Sequence, residues 1–524
     1  MSDRADVDVN GGATLGDLFL RAIRRYGDRI ALVDDYESLT YRQFGTRVGQ
    51  YLADFRVADL PRGAGLAQLS TNCADAVAVI AAGWIHGLRY TPLHPRGTPQ
   101  DHAFIIEDAE IEALAIDTRS FPNAIQELGA HLTGRRTIIK HREANPREDS
   151  TGAVLPRGRA AQPPFSENNI AAVLYTGGTT GTPKGVVHRH RSLVANALIE
   201  LAEFEWPPEV RFLAVTPISH AALGFILPVF IRGGAFVLHR QFSPAGFFAA
   251  VAKLHVTATF LVPTMLNALL DSPEAKSANT TSLQMLVYGA SPIAPSRLRQ
   301  AIDRLGDVFV QMYGQTEAPN VIAVLRRSEH DANSLERLAS CGVPSASLDV
   351  RLLNEAGSEV GPGEVGEVCV RGPLVMDRYW NRPAETAATL AGGWLHTGDL
   401  ARADDAGYLT IVDRKKDLII SGGFNIIPRE IEDILNSHPA VSQACVIGVP
   451  DPKWGEAVKA IVITRQGERV SADELTRLVR ETKGATYVPK TIDFVDSIPM
   501  TPVGKPDKKA LRAPFWRGHA RQVV

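Results

Sequence analysis

Tyr175-Thr176-Gly177-Gly178-Thr179-Thr180-Gly181-Thr182-Pro183-Lys184-Gly185 follows directly on an apolar run, Ile170 to Tyr175, that reads as a strand. The glycines let backbone N–H groups turn toward phosphate oxygens, the threonine hydroxyls add donors, and Lys184 adds positive charge beside a polyphosphate. A P-loop NTPase needs Gly, Lys and then Ser or Thr in succession, whereas here Pro183 precedes the lysine and Gly185 follows it. The stretch therefore predicts a strand that ends in a phosphate-binding loop of another kind, and it disfavours a kinase or P-loop NTPase.

Upstream, amphipathic helical stretches alternate with short apolar strands: Leu15 to Tyr26, Ile30 to Val33, Tyr41 to Phe55. The segment His141 to Ser166, rich in Arg, Pro and Gly, reads as an exposed connection. Downstream, Arg211 to Thr216, Ala258 to Val262, Met285 to Tyr288 and Val308 to Met312 alternate with helical segments, as expected of parallel strands joined by crossovers. From Gly342 to Arg371 the texture turns to short β pieces with Gly-rich turns, Leu348 to Leu353 and Gly366 to Val370, predicting a small β subdomain. About a hundred residues then follow Asp413-Arg414-Lys415-Lys416-Asp417, with helices predicted over Pro428 to His438 and Ala472 to Thr482. The expected fold class is α/β: a large multi-subdomain N-terminal domain with mainly parallel sheets plus a small β subdomain (1–413), a hinge (414–417), and a small mobile α+β lid (418–524).

At 524 residues the chain exceeds what one hydrophobic core usually organises. Hydrophobic residues at 45% and charged residues at 22% exclude a disordered or fibrous class. A net charge of −2 gives no general pull toward nucleic acid, and no nucleic-acid partner is expected. The cysteines, Cys73, Cys341, Cys369 and Cys445, form neither a CxxC pair nor a dense framework, which fits a reducing cytosol. The first ten residues lack the apolar stretch of a secretory signal, and the most apolar runs, around Ala76 to Ile85 and Ala221 to Ile231, are far shorter than the roughly 18 to 20 residues a spanning helix needs. A cytoplasmic protein without a transmembrane segment is expected.

Further short motifs stand in order along the chain: Pro217-Ile218-Ser219-His220, Gly289-Ala290-Ser291-Pro292, Gln311-Met312-Tyr313-Gly314-Gln315-Thr316-Glu317, Gly392-Gly393-Trp394-Leu395-His396-Thr397-Gly398-Asp399, Ser421-Gly422-Gly423-Phe424 and Pro499-Met500-Thr501-Pro502-Val503-Gly504-Lys505. Together with the first loop they resemble the signature segments of the adenylate-forming superfamily: acyl-CoA synthetases, peptide-synthetase adenylation domains and luciferases. The resemblance spans roughly Leu15 to Leu511. One departure is Gly177, where the family commonly has Ser.

The resemblance implies the roles. Thr176, Gly177, Gly178, Thr179, Thr180, Gly181 and Lys184 would hold ATP phosphates; Gly289, Ala290, Ser291, Tyr313 and Gly314 would bracket the adenosine, with the Tyr313 ring offered to adenine. Thr316 would touch the α-phosphate, and Glu317 would ligate Mg²⁺. Asp399 would accept from the ribose hydroxyls, which suits a carboxylate with several acceptor sites, and Arg414 would contact the ribose. Lys505 would stabilise the charge that builds when a carboxylate attacks the α-phosphate. His220 would gate or orient between acyl pocket and thiol tunnel.

Ala221, Ala222, Gly224, Tyr288, Gly289 and Gly314 would line the acyl pocket with His220, in a wall running to Asn320. That wall reads as mostly apolar or small, suiting a small aromatic or medium-chain aliphatic acid. Gly422 and Gly423 would face the pantetheine arm, and Lys416 would be the pivot on which the lid turns between half-reactions. The implied activity is an ATP-dependent acid–CoA ligase that uses Mg²⁺, with ATP and CoA as co-substrates. Alternatives are a stand-alone adenylating enzyme loading a carrier-protein phosphopantetheine and a silent nucleotide-binding member. Silent members should lose Lys505 or Glu317, and both are present. The family is often dimeric, which leaves a homodimer open.

Overall fold

The computed structural model describes residues 11–134, 136–142, 155, 165–176, 183–422, 424–501 and 506–517. Two large sheets organise the first part of the chain. The nine-stranded sheet has a parallel centre in which Met285–Gly289 lies between Phe309–Gln315 and Ala258–Leu261; Ala318–Leu325 and then Val343–Pro344 add antiparallel strands at one edge. The parallel strands expected after Arg211 are present, and their apolar runs are buried as two-sided strands require.

The seven-stranded sheet carries Gly65–Leu69, Arg89–Leu93, Ile111–Ile116, Thr137–Lys140 and Ile170–Thr176 in parallel. Its other edge decides the local geometry of the phosphate-loop motif. Lys184–Arg189 runs antiparallel to Ile170–Thr176, pairing Tyr175 with Gly185 and Thr176 with Lys184, and Arg378–Tyr379 pairs antiparallel outside it. The strands on either side of Gly177–Thr182 therefore pair antiparallel, and the element that begins at Lys184 is a strand.

A four-stranded antiparallel sheet (Asp349–Leu353, Gly366–Arg371, Leu395–Ala403, Leu409–Arg414) is the β subdomain expected from the Gly-rich texture. The last sheet is drawn wholly from Ile419–Ser421, Phe424–Ile426, Val441–Asp451, Gly455–Thr464 and Thr491–Phe494. It closes its own core, Ile419, Ile431, Leu435, Val446, Val458 and Leu475, beneath the helices Pro428–Ser437 and Ala472–Lys483.

In the main core Phe212, Phe225, Phe236 and Phe260 stack with ring centroids 4.9 to 5.5 Å apart. Each such ring contributes roughly 2 to 3 kcal/mol by leaving water. All four cysteines are buried free thiols. Among the described residues no helix is long and apolar enough to cross a membrane.

Candidate active site

Strand ends and the loops after them carry the site, as open α/β sheets dictate. On the hairpin, Tyr175 donates to Asp108 Oδ2 at 2.6 Å, and Arg382 Nη2 holds the other oxygen at 2.8 Å. This pins the strand just before Gly177–Thr182, which lie outside the described residues. On the return strand the Lys184 ammonium sits 5.2 Å from the Tyr379 ring centre, and Tyr379 donates to Glu317 Oε1 at 2.7 Å. Glu317 uses one oxygen in this bond; among the described residues its other oxygen makes none. A carboxylate oxygen left free beside a phosphate loop is the hard donor that Mg²⁺ accepts together with phosphate and water, so the residues fit the ion.

Thr316 is fixed from behind. Its carbonyl accepts from His188 Nε2 at 2.7 Å, and complete burial drives the imidazole pKa down to about 4, so the ring stays neutral at physiological pH.

Asp399, Tyr313 and Arg414 converge. The Tyr313 hydroxyl donates to Asp399 Oδ2 at 2.8 Å across 86 residues of chain, and Arg414 Nε lies 3.1 Å from Asp399 Oδ1. The Asp399 charge raises the Arg414 pKa despite burial. Strand pairing explains the meeting, because Asp399 and Arg414 are register partners in the small antiparallel sheet. Gly398 donates its N–H to Glu367 Oε1 at 3.0 Å, and Lys415 Nζ stands 3.6 Å from Glu367 Oε2. The turn before Asp399 and the start of the expected hinge thus share one carboxylate. Lys416, in the 3₁₀ turn Lys415–Asp417, is half-buried; desolvation lowers its pKa, and the nearby Arg414 charge acts in the same direction.

At the end of Met285–Gly289, Ala290 is exposed with φ +64 and Ser291 is half-buried. An alanine in left-handed backbone is strained, and such strain concentrates where a binding turn is over-determined by its surroundings.

His220 Nδ1 is 3.1 Å from Ser219 Oγ, and its ring meets that of His94 edge to face with centroids 4.6 Å apart. Burial, then Arg96 and His102, push the His94 pKa down to about 4, and its Nδ1 accepts from the Arg96 N–H at 3.0 Å. Gly422 has φ +59, and a Cβ there would lie 2.5 Å from the Trp454 ring, so only glycine fits between strands flanked by the exposed Phe424 and Trp454. Gly423 and Lys505 lie outside the described residues. Lys508, close to Lys505 in sequence, is half-buried in an ion pair with Glu432 at 2.9 Å, so it has a separate structural task.

Two of the residues expected to line the pocket are completely buried. Tyr288 packs in the core with its hydroxyl 3.0 Å from both Gln311 Oε1 and His330 Nε2. Successive strand residues face opposite sides of the sheet, so its side chain and the Gly289 backbone look to different faces. Ala222 is likewise fully buried in the main core and presents no surface. The sequence reading also missed Tyr379, His188 and His94. Tyr379, in Asp377-Arg378-Tyr379-Trp380, had no local signal beyond two aromatic residues; only strand pairing brings it to Glu317.

The model of the AMP-binding enzyme family matches residues 19–380, and that of the AMP-binding enzyme C-terminal domain matches residues 430–505. The chain belongs to the AMP-binding enzyme family. It is 42% identical over 529 residues to a medium/long-chain-fatty-acid–CoA ligase of Mycobacterium tuberculosis, FadD8, covering 97% of this chain and 91% of that one. It is 37% identical over 482 residues to a feruloyl-CoA synthase of Amycolatopsis, covering 91% and 94%. Among solved structures it resembles the amide bond synthetase McbA of Marinactinospora thermotolerans, with TM-score 0.86, 32% identity, and 95% and 99% of the two chains covered.

Proposed function

We propose that this AMP-forming acid–CoA ligase activates a small aromatic or medium-chain aliphatic carboxylate. The carboxylate oxygen attacks the α-phosphorus of ATP, giving acyl-AMP and releasing pyrophosphate; CoA thiolate then attacks the acyl carbonyl, giving the thioester and releasing AMP. The observation that carries this reading is the ribose clasp, in which Asp399 receives the Tyr313 hydroxyl and faces Arg414. It is supported by Glu317, Tyr379 and Lys184, which meet at the edge of the phosphate-loop hairpin.

In this reading Lys184 and the threonines around it hold the leaving pyrophosphate, and Thr316, held by His188, lies at the α-phosphate. Asp399 and Arg414 hold the ribose. Lys505 stabilises the charge that builds as two anions meet. Glu317 would hold Mg²⁺, which neutralises polyphosphate charge when bound. His220 lies between acyl pocket and thiol tunnel, and Gly422 and Gly423 flank the pantetheine arm. Residues 414–417 act as the hinge between 1–413 and 418–524, with Lys416 as pivot, so that one site serves both half-reactions in turn. The aliphatic and aromatic substrate classes are those named for FadD8 and the feruloyl-CoA synthase.

The test is acid-dependent pyrophosphate release from MgATP over a panel of aromatic and aliphatic acids, with and without CoA. Release that rises with CoA and yields AMP and a thioester is expected. Release indifferent to free CoA would replace CoA by a carrier-protein acceptor.

A further inference from the structure

Glu200 lies on the helix His190–Glu203 and is completely buried, with no cation paired to it among the described residues. Its Oε1 accepts from Asn196 Nδ2 at 2.9 Å and from Asn320 Nδ2 at 2.7 Å. Its Oε2 and the Asn196 Oδ1 are buried without a partner among the described residues. A buried acid with an unsatisfied oxygen costs stability that an apolar side chain would not, so its presence in a core this aromatic calls for a reason.

That reason lies in what Glu200 holds. Asn320 has left-handed backbone, φ +58, and follows Glu317 by three residues in the strand Ala318–Leu325. It packs against two of the small residues assigned to the acyl pocket, Gly224 and Gly314. A Cβ on Gly224 would lie 2.3 Å from Asn320 Nδ2, 3.1 Å from Glu200 Oε1 and 3.5 Å from Asn196 Nδ2; one on Gly314 would lie 2.5 Å from the Asn320 backbone N. Glu200 Oε1 takes both amide N–H bonds and so acts as an acceptor whether the acid is ionised or carries a proton on Oε2; it thereby selects the NH₂ end of the Asn320 amide and leaves the carbonyl oxygen on the opposite side. Asn320 is half-buried, and that oxygen makes no bond among the described residues.

We propose that Asn320, oriented by Glu200 and Asn196, reads the acyl group: its side-chain carbonyl accepts a hydrogen bond from an O–H or N–H carried by the acid remote from its carboxylate. Asn320 is the contact residue; Glu200 is a positioning residue. The proposal rests on the acyl-pocket reading above and narrows it to acids bearing a hydrogen-bond donor.

The experiment measures kcat/KM for acid-dependent pyrophosphate release with matched pairs: cinnamate against 4-hydroxycinnamate, and octanoate against 8-hydroxyoctanoate. The full-length protein should favour at least one hydroxylated member by about tenfold, the scale of one partly exposed hydrogen bond. In Asn320→Gly, which keeps the left-handed backbone unstrained, the ratio should fall to near one. Glu200→Leu should lower it as well, and Glu200→Gln, whose carbonyl can still accept both amides, should retain it. Partial misfolding scales both members of a pair equally and leaves the ratio unchanged. Equal turnover of both members by the parent protein, or a ratio indifferent to Asn320→Gly and Glu200→Leu, overturns the assignment while acid activation stands. Absence of release with every acid overturns the ligase reading and this assignment with it.

Discussion

The Tyr379 hydroxyl donates to Glu317 Oε1 at 2.7 Å while the Lys184 ammonium lies 5.2 Å from the centre of the same ring. One side chain therefore aims the candidate metal carboxylate and abuts the cation of the phosphate loop. A hydrogen bond to a charged group is worth about 1.5 to 3 kcal/mol. Tyr379→Phe keeps the ring against Lys184 and removes only that bond. Adenylation kcat/KM should fall about tenfold or more, and the Mg²⁺ concentration for half-maximal rate should rise. An unchanged Mg²⁺ dependence would remove Glu317 from the metal role.

Asp399 is nearly buried between Tyr313 and Arg414, and its assigned work is to accept from ribose hydroxyls. A site built to bond a hydroxyl discriminates against the analogue that lacks it. The parent protein should prefer ATP over 2′-deoxy-ATP by about tenfold or more. In Asp399→Ala the kcat/KM for ATP should drop on the order of a hundredfold and the preference should shrink toward one. A variant that still discriminates between the nucleotides would place the ribose elsewhere.

Most strands and the order of the site motifs were legible because their signals are local. Apolar runs of strand length, glycines at turns and hydroxyls beside a lysine need no knowledge of tertiary contacts, and the helix Leu15–Tyr26 and the strand Ile30–Val33 fall where periodicity placed them. What was illegible depends on pairing across the chain. Tyr379 reaches Glu317 over 62 residues, and His94 meets His220 because a strand of one large sheet ends beside a turn that follows a strand of the other. Glu200 carries no local signal of its burial, because only the packing around its helix encloses it and brings the Asn196 and Asn320 carboxamides onto its carboxyl group.

The two half-reactions should separate by residue. Lys505→Ala should abolish most adenylation, costing about 4 kcal/mol or more, since a full charge is removed where one neutral oxyanion donor is worth roughly 3 to 4. Thioester formation from preformed acyl-AMP should be much less affected. Lys416→Pro, in the turn Lys415–Asp417, should show the reverse: adenylation retained, thioesterification impaired. Single-turnover assays of each half-reaction decide this, and equal losses in both would overturn both roles.

Glu200 also predicts a pH signature of stability that requires no substrate. Burial raises its pKa to about 7 from 4.5, and the Asn320 and Asn196 amides only partly offset that. Between those values the folded protein holds a proton that the unfolded chain has released. Folded binding exceeds unfolded binding, so this residue's contribution to stability falls as pH rises. Integrated from pH 5 to pH 8, the loss is on the order of 2 to 3 kcal/mol. Glu200→Gln does not titrate. Whatever its two amide protons cost there does not change with pH, so the gap between variant and parent should move by that amount in the variant's favour across the range. Thermal denaturation of both proteins in matched buffers reads the shift as a few degrees, and parallel pH profiles would mean that Glu200 is already ionised at pH 5 or never ionises below pH 8.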